Sequence, residues 1–133
     1  AEGILKDKIS KTGLNWMVDS AGTSAWHIGE KPDPRSMQTS LKHGIDISDQ
    51  RARQFKRADF VDFDLILAMD QSNYNNILRL AKNETEEAKV KMILNYVYPG
   101  QNRPVPDPYY DNGFDNVYDL LDRASDEIIQ QNT

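Results

Sequence analysis

The run Leu65-Ile66-Leu67-Ala68-Met69 constrains the fold more than any other stretch of the chain. Apolar residues without polar alternation suit a strand buried on both faces, as in a parallel sheet covered by helices. Asp70 ends the run, and Ser72 and Asn73 offer caps for a following helix that carries Ile77, Leu78 and Leu80. Glu84 to Ala88 continues as helix, and Val90 to Leu94 reads as a further strand. Strands alternating with helices predict an α/β fold with a mostly parallel sheet.

The flanking segments extend the pattern. Ala1 to Lys11 puts Ile4, Leu5 and Ile9 on one helical stripe, and Gly13 supplies a helix stop. Leu14 to Ser20, with Trp16, Met17 and Val18, reads as a short buried strand followed by a loop of small residues, Ser20 to Ala25. Asp33-Pro34 is a helix start, an acid at the cap and proline at the first helical position. That helix should carry Met37, Ser40 and Leu41 and stop at Gly44, and a short helix is expected around Arg57 to Phe60. Phe114 to Gln131 reads as a long amphipathic helix with Val117, Leu120, Leu121, Ala124, Ile128 and Ile129 inward. Pro32 and Pro34, then Pro99, Pro104, Pro106 and Pro108, mark long loops.

Composition narrows the function. The 133 residues fit one domain. Sixteen Lys and Arg against 21 Asp and Glu give a net charge of −5, which excludes a general nucleic-acid binder because that needs a basic face. No apolar run approaches the ~18 residues of a membrane span. The charged, amphipathic first residues do not resemble a signal peptide, so a cytoplasmic location and no membrane partner are expected. With no cysteine, disulfides, Cys-ligated zinc, iron–sulfur clusters and thiol chemistry are excluded within these residues. His27 and His43 are the only histidines, too few for a His-rich metal site.

In a parallel sheet, ligands bind outside the carboxyl ends of the strands. The segments leaving those ends are Ser20 to Trp26, Asp70 to Asn73, and the proline-rich loop around Asp107. Asp107 stands between Pro106 and Pro108, which stiffen the backbone on either side. A carboxylate held so, with Tyr109 and Tyr110 after it, suits proton delivery beside a flat substrate; the same pattern also fits an ordinary turn. Trp26 suits either an aromatic ligand or the rim of the core. Asp70 suits a helix cap, a phosphoacceptor or a magnesium ligand, although the acidic pair of a receiver domain is missing. His43 ends a helix, where imidazolium favours the dipole, and Arg35 at a helix start needs only solvent.

Several stretches taken together resemble one family, the low-molecular-weight protein-tyrosine phosphatases. They are Val18-Asp19-Ser20-Ala21-Gly22-Thr23, Trp26-His27-Ile28-Gly29, Pro32-Asp33-Pro34-Arg35, His43-Gly44-Ile45 and Ala52-Arg53-Gln54. Phe63 through Asn73, Val105-Pro106-Asp107-Pro108-Tyr109-Tyr110 and Phe114 through Tyr118 complete the match. The resemblance implies a three-layer α/β fold with a four-stranded parallel sheet. It also implies hydrolysis of phosphotyrosine, in a protein or a small aryl phosphate, without metal or other cofactor. In the family a loop of the form Cys, five residues, Arg, Ser/Thr attacks phosphorus through its thiolate, and a phosphocysteine forms. By the same resemblance Asp107 is the general acid, then base. Trp26 and Tyr109 wall the ring, with Tyr110 beside them. Ser20, His43, Asp70 and Asn73 brace the phosphate loop, and Gln50 receives no role.

The family's cysteine loop and first strand precede the segment that Ala1-Glu2-Gly3-Ile4 matches. The domain 1–133 is therefore expected to be N-terminally incomplete and inactive by itself. An upstream segment in the whole protein, a strand from elsewhere, and a noncatalytic relative with a rearranged sheet all remain open. The competing function is a phosphatase-like binding module that holds a ligand without turnover.

Overall fold

The computed structural model describes residues 1–22, 29–106 and 113–133. Helix α1 spans Glu2–Thr12 and ends at Gly13, whose φ of 71° is the left-handed conformation that glycine adopts without steric cost. Helix α2, Pro34–Lys42, starts as the sequence requires. The Asp33 side chain accepts a hydrogen bond from Arg35 N at 2.8 Å, with Pro34 at the first helical position. Helix α3, Asp59–Asp62, leads into strand β1, Ile66–Ala68. Helices α4, Gln71–Leu78, and α5, Glu84–Glu87, cross over to strand β2, Val90–Met92. A 3-10 turn follows over Ile93–Tyr96, and helix α6, Gly113–Gln131, closes the fold.

The two strands pair in parallel, Ile66 opposite Val90 and Ala68 opposite Met92. Alternate residues of β1 point to opposite faces. Each face meets its own core. Ile66 and Ala68 belong to a cluster with Phe60, Ile77, Val90 and Met92. Leu65, Leu67 and Met69 pack on the other side, against Ile4, Ile93, Leu94, Leu121 and Ile128. The sheet is thus the middle layer, with α1 and α6 on one side and α3 and α4 on the other. Lys8 of α1 ties the first of these layers together through Asp122 and Asp126 of α6, both at 2.9 Å.

Several expectations need correction. Asp70, rather than Ser72 or Asn73, caps α4, and that helix ends at Leu78, short of Leu80, which is 43% exposed. The segment 14–20 forms no ladder. Leu14, Trp16 and Val18 are half-buried while Asn15, Met17 and Asp19 are exposed, Met17 at 71%. It has the two-residue period of a strand, but a strand also requires a neighbour's N–H and C=O groups, and among the described residues the ladder joins only β1 and β2. In α2 the buried residues are Thr39 and Ser40, and Leu41 is 58% exposed. Ser36, Thr39 and Ser40 share one face at i, i+3, i+4 spacing, and that face lines a cavity with Val117, Tyr118 and Leu121 of α6. The strand expected over 90–94 stops at Met92, because Ile93 and Leu94 turn into the 3-10 segment to reach the other cluster.

Candidate active site

The carboxyl end of β1 organises the site. Asp70 caps α4, and its carboxylate accepts a hydrogen bond from Asn73 N at 2.7 Å. A carboxylate at a helix start satisfies a donor that the helix leaves free and meets the positive end of its dipole. One residue earlier, Met69 O accepts from Val105 N at 2.8 Å. The proline-rich loop therefore departs from the end of β1, two residues before position 107. Asp107, Tyr109 and Tyr110 lie outside the described residues.

Trp26 likewise lies outside them, but both feet of its loop are fixed. Gly22 N donates to Arg53 O at 2.8 Å and Gly22 O accepts from Phe55 N at 2.6 Å. On the far side, Gly29 N donates to Ala52 O at 2.6 Å and Ala52 N to Glu30 O at 2.8 Å. One extended segment, 52–55, thus clamps the chain on either side of the loop.

Ser20 reaches α1. Its hydroxyl donates to Glu2 Oε1 at 2.5 Å, in the first turn of the helix, and Glu2 also pairs with Lys6 at 2.7 Å. His43 behaves differently from the other bracing candidates. It caps the C-terminus of α2, and its exposed ring stacks on Tyr118 of α6, 3.8 Å between centroids and 10° from parallel. The structure therefore joins Ser20 to α1 and Asp70 to Asn73, and turns His43 toward α6. Arg35, expected to be merely solvated, bonds Asp33 at 3.1 Å and lies over the Phe114 ring at 5.0 Å.

Sequence reasoning gave no role to Arg53, Asp59 or Glu2. The Asp59 carboxylate, on a residue only 3% exposed, accepts from both Arg53 terminal nitrogens, at 3.0 and 3.1 Å. Burial pushes the Asp59 carboxyl up, but the hydrogen bonds from Arg53 and from Lys56 N, with the attraction of both cations, outweigh it. The carboxyl is held below its ordinary value. The only signal available in the sequence was the stretch Ala52-Arg53-Gln54 within the family resemblance.

Among the described residues no cluster of three or more His, Asp or Glu is arranged to hold a metal ion, and no helix is long and apolar enough to cross a membrane.

With this geometry in place, comparison with known proteins decides the family. A model of the low molecular weight phosphotyrosine protein phosphatases matches residues 1–132. The chain belongs to that family. The low molecular weight phosphotyrosine protein phosphatase of Schizosaccharomyces pombe is 41% identical, over 89% of this chain and 78% of its own length. Among solved structures, the protein tyrosine phosphatase of Entamoeba histolytica superposes with a TM-score of 0.88 at 31% identity, covering 98% of this chain and 85% of that one. A Drosophila arginine phosphatase superposes with a TM-score of 0.87 at 30% identity, covering 99% and 87%. The α/β fold and its parallel sheet agree with these likenesses.

Proposed function

We propose that the protein is a phosphotyrosine monoesterase acting on phosphoproteins or small aryl phosphates, with Asp107 as its proton donor. The observation that carries this reading is the family match across residues 1–132. The bond from Val105 N to Met69 O supports the assignment of Asp107, since it starts that residue's loop at the carboxyl end of the sheet, where ligands of such folds bind.

In this reading a thiolate attacks phosphorus while the bond to the tyrosine oxygen breaks, and Asp107 gives that oxygen its proton. Asp107, now ionised, takes a proton from water as water attacks the phosphocysteine. The cysteine reforms and phosphate leaves. The nucleophilic cysteine of this scheme is not among the 133 residues. Trp26 and Tyr109, with Tyr110 adjacent, wall the ring in the same reading. Ser20, Asp70 and Asn73 brace the phosphate site through Glu2 of α1 and from the end of β1, and His43 acts only indirectly, from its stack on Tyr118 of α6.

The test is turnover of p-nitrophenyl phosphate by the full-length protein. We expect Asp107→Asn to lower kcat by about 100-fold, the range of one general acid. An unchanged rate removes Asp107 from the mechanism. Phosphotyrosine-peptide binding with no turnover by the wild-type protein replaces the enzyme reading with that of a binding module.

A further inference from the structure

Arg53 holds the segment 19–22 from two directions. Its backbone carbonyl accepts from Gly22 N at 2.8 Å. Its side chain donates through Nε to Asp19 Oδ2 at 2.9 Å. The two terminal nitrogens are anchored on Asp59, at 3.0 and 3.1 Å, and Asp59 is itself fixed by Lys56 N at 2.9 Å. The guanidinium fork is rigid and planar, so anchoring one edge sets the direction of the other. Asp19 passes the constraint on, because Oδ1 accepts from Ser20 N at 2.8 Å. The Ser20 hydroxyl then bonds Glu2, whose side chain is only 8% exposed, in the first turn of α1. A continuous hydrogen-bonded path thus runs from Asp59 beside the core residue Phe60 to the amino end of α1.

We propose that Arg53 and Asp19 are positioning residues for phosphate binding, acting through Ser20 and Glu2 on the aim of the first turn of α1. The inference rests on the phosphatase reading above and on the family resemblance, by which the phosphate-binding loop precedes Ala1 and so leads into the amino end of α1. Backbone N–H groups bind an oxyanion only along their own directions, so a small rotation of that turn weakens the contact. Neither residue touches substrate.

The test uses full-length protein carrying Arg53→Lys or Asp19→Asn, with inorganic phosphate as competitive inhibitor of p-nitrophenyl phosphate turnover. Lysine keeps the charge but cannot serve two carboxylates with a fixed fork. Both variants should weaken the inhibition constant for phosphate by about five- to tenfold, the effect of losing about one positioned hydrogen bond. That constant does not depend on the fraction of enzyme folded, so a merely structural role leaves it unmoved. The Asp19 side chain is 45% exposed, and Asp19→Asn should melt close to the wild type. Unchanged phosphate inhibition in both variants of an active enzyme overturns the proposal even if Arg53→Lys melts earlier. A wild-type protein that neither turns over the ester nor binds phosphate overturns the phosphatase reading itself, and this inference with it.

Discussion

At the scale of single residues, Asp59 shows how a side chain without any sequence motif fixes local structure. Its carboxylate is buried, and its partners Arg53 and Lys56 N make the charged form the favoured one. Asp59→Asn should cost about 1.5–2 kcal/mol, because it removes charge-assisted hydrogen bonds between a buried carboxylate and a half-buried guanidinium. The pH dependence follows from the sign of the shift. The carboxyl's folded value lies below its unfolded one, so its contribution is complete above about pH 4 and is lost as pH falls through the folded value. Thermal melts from pH 6 down to pH 2 should show the wild type losing its advantage over Asp59→Asn in that acid range. A constant gap contradicts the assignment. Arg53, Asp59 and Glu2 were illegible in the sequence because their meaning lies in contacts across long separations, such as Arg53 to Asp19 and Ser20 to Glu2. Asp70 was legible, since a cap acts on residues that follow it directly.

At the scale of elements, the signals that held were those settled within a few residues. Asp33-Pro34 started α2, Gly13 ended α1, and Asp70 began α4. Asp33→Ala should destabilise the protein by about 1 kcal/mol through the lost cap, read as a lower midpoint in denaturant with an unchanged slope. No change in midpoint contradicts a capping role. The segment 14–20 was misread and the inner face of α2 was left unread for a common reason. A strand is defined by its neighbour and a helix face by what it packs on, and neither is written in the segment itself. Leu41 has the more apolar side chain, yet Thr39 and Ser40 are the residues buried, on the face that shares a cavity with α6. The run 90–94 shows the same limit: Val90 and Met92 serve one core, Ile93 and Leu94 the other, and the chain must turn between them.

At the scale of the whole molecule, a thin parallel sheet separates two cores, and the loop that leads toward the proposed proton donor Asp107 leaves from the carboxyl end of β1. The layering was legible because the apolar run 65–69 demands cover on both faces, and β1 does divide its side chains between the two clusters. The chemistry was legible only through resemblance, since no spacing within these residues distinguishes a proton donor at Asp107 from an exposed turn. Relatives on this fold include a protein tyrosine phosphatase and an arginine phosphatase, so the fold alone does not choose the phosphorylated residue. The proposed assignment of Trp26 and Tyr109 as walls for a phenyl ring, with Asp107 as donor to its oxygen, is what selects phosphotyrosine in this account. The most direct measurement is the initial rate of phosphate release by the full-length protein from matched phosphotyrosine and phosphoarginine peptides. The account predicts faster release from the phosphotyrosine peptide, with that rate falling in Asp107→Asn. Faster release from the phosphoarginine peptide, or none from either, contradicts it.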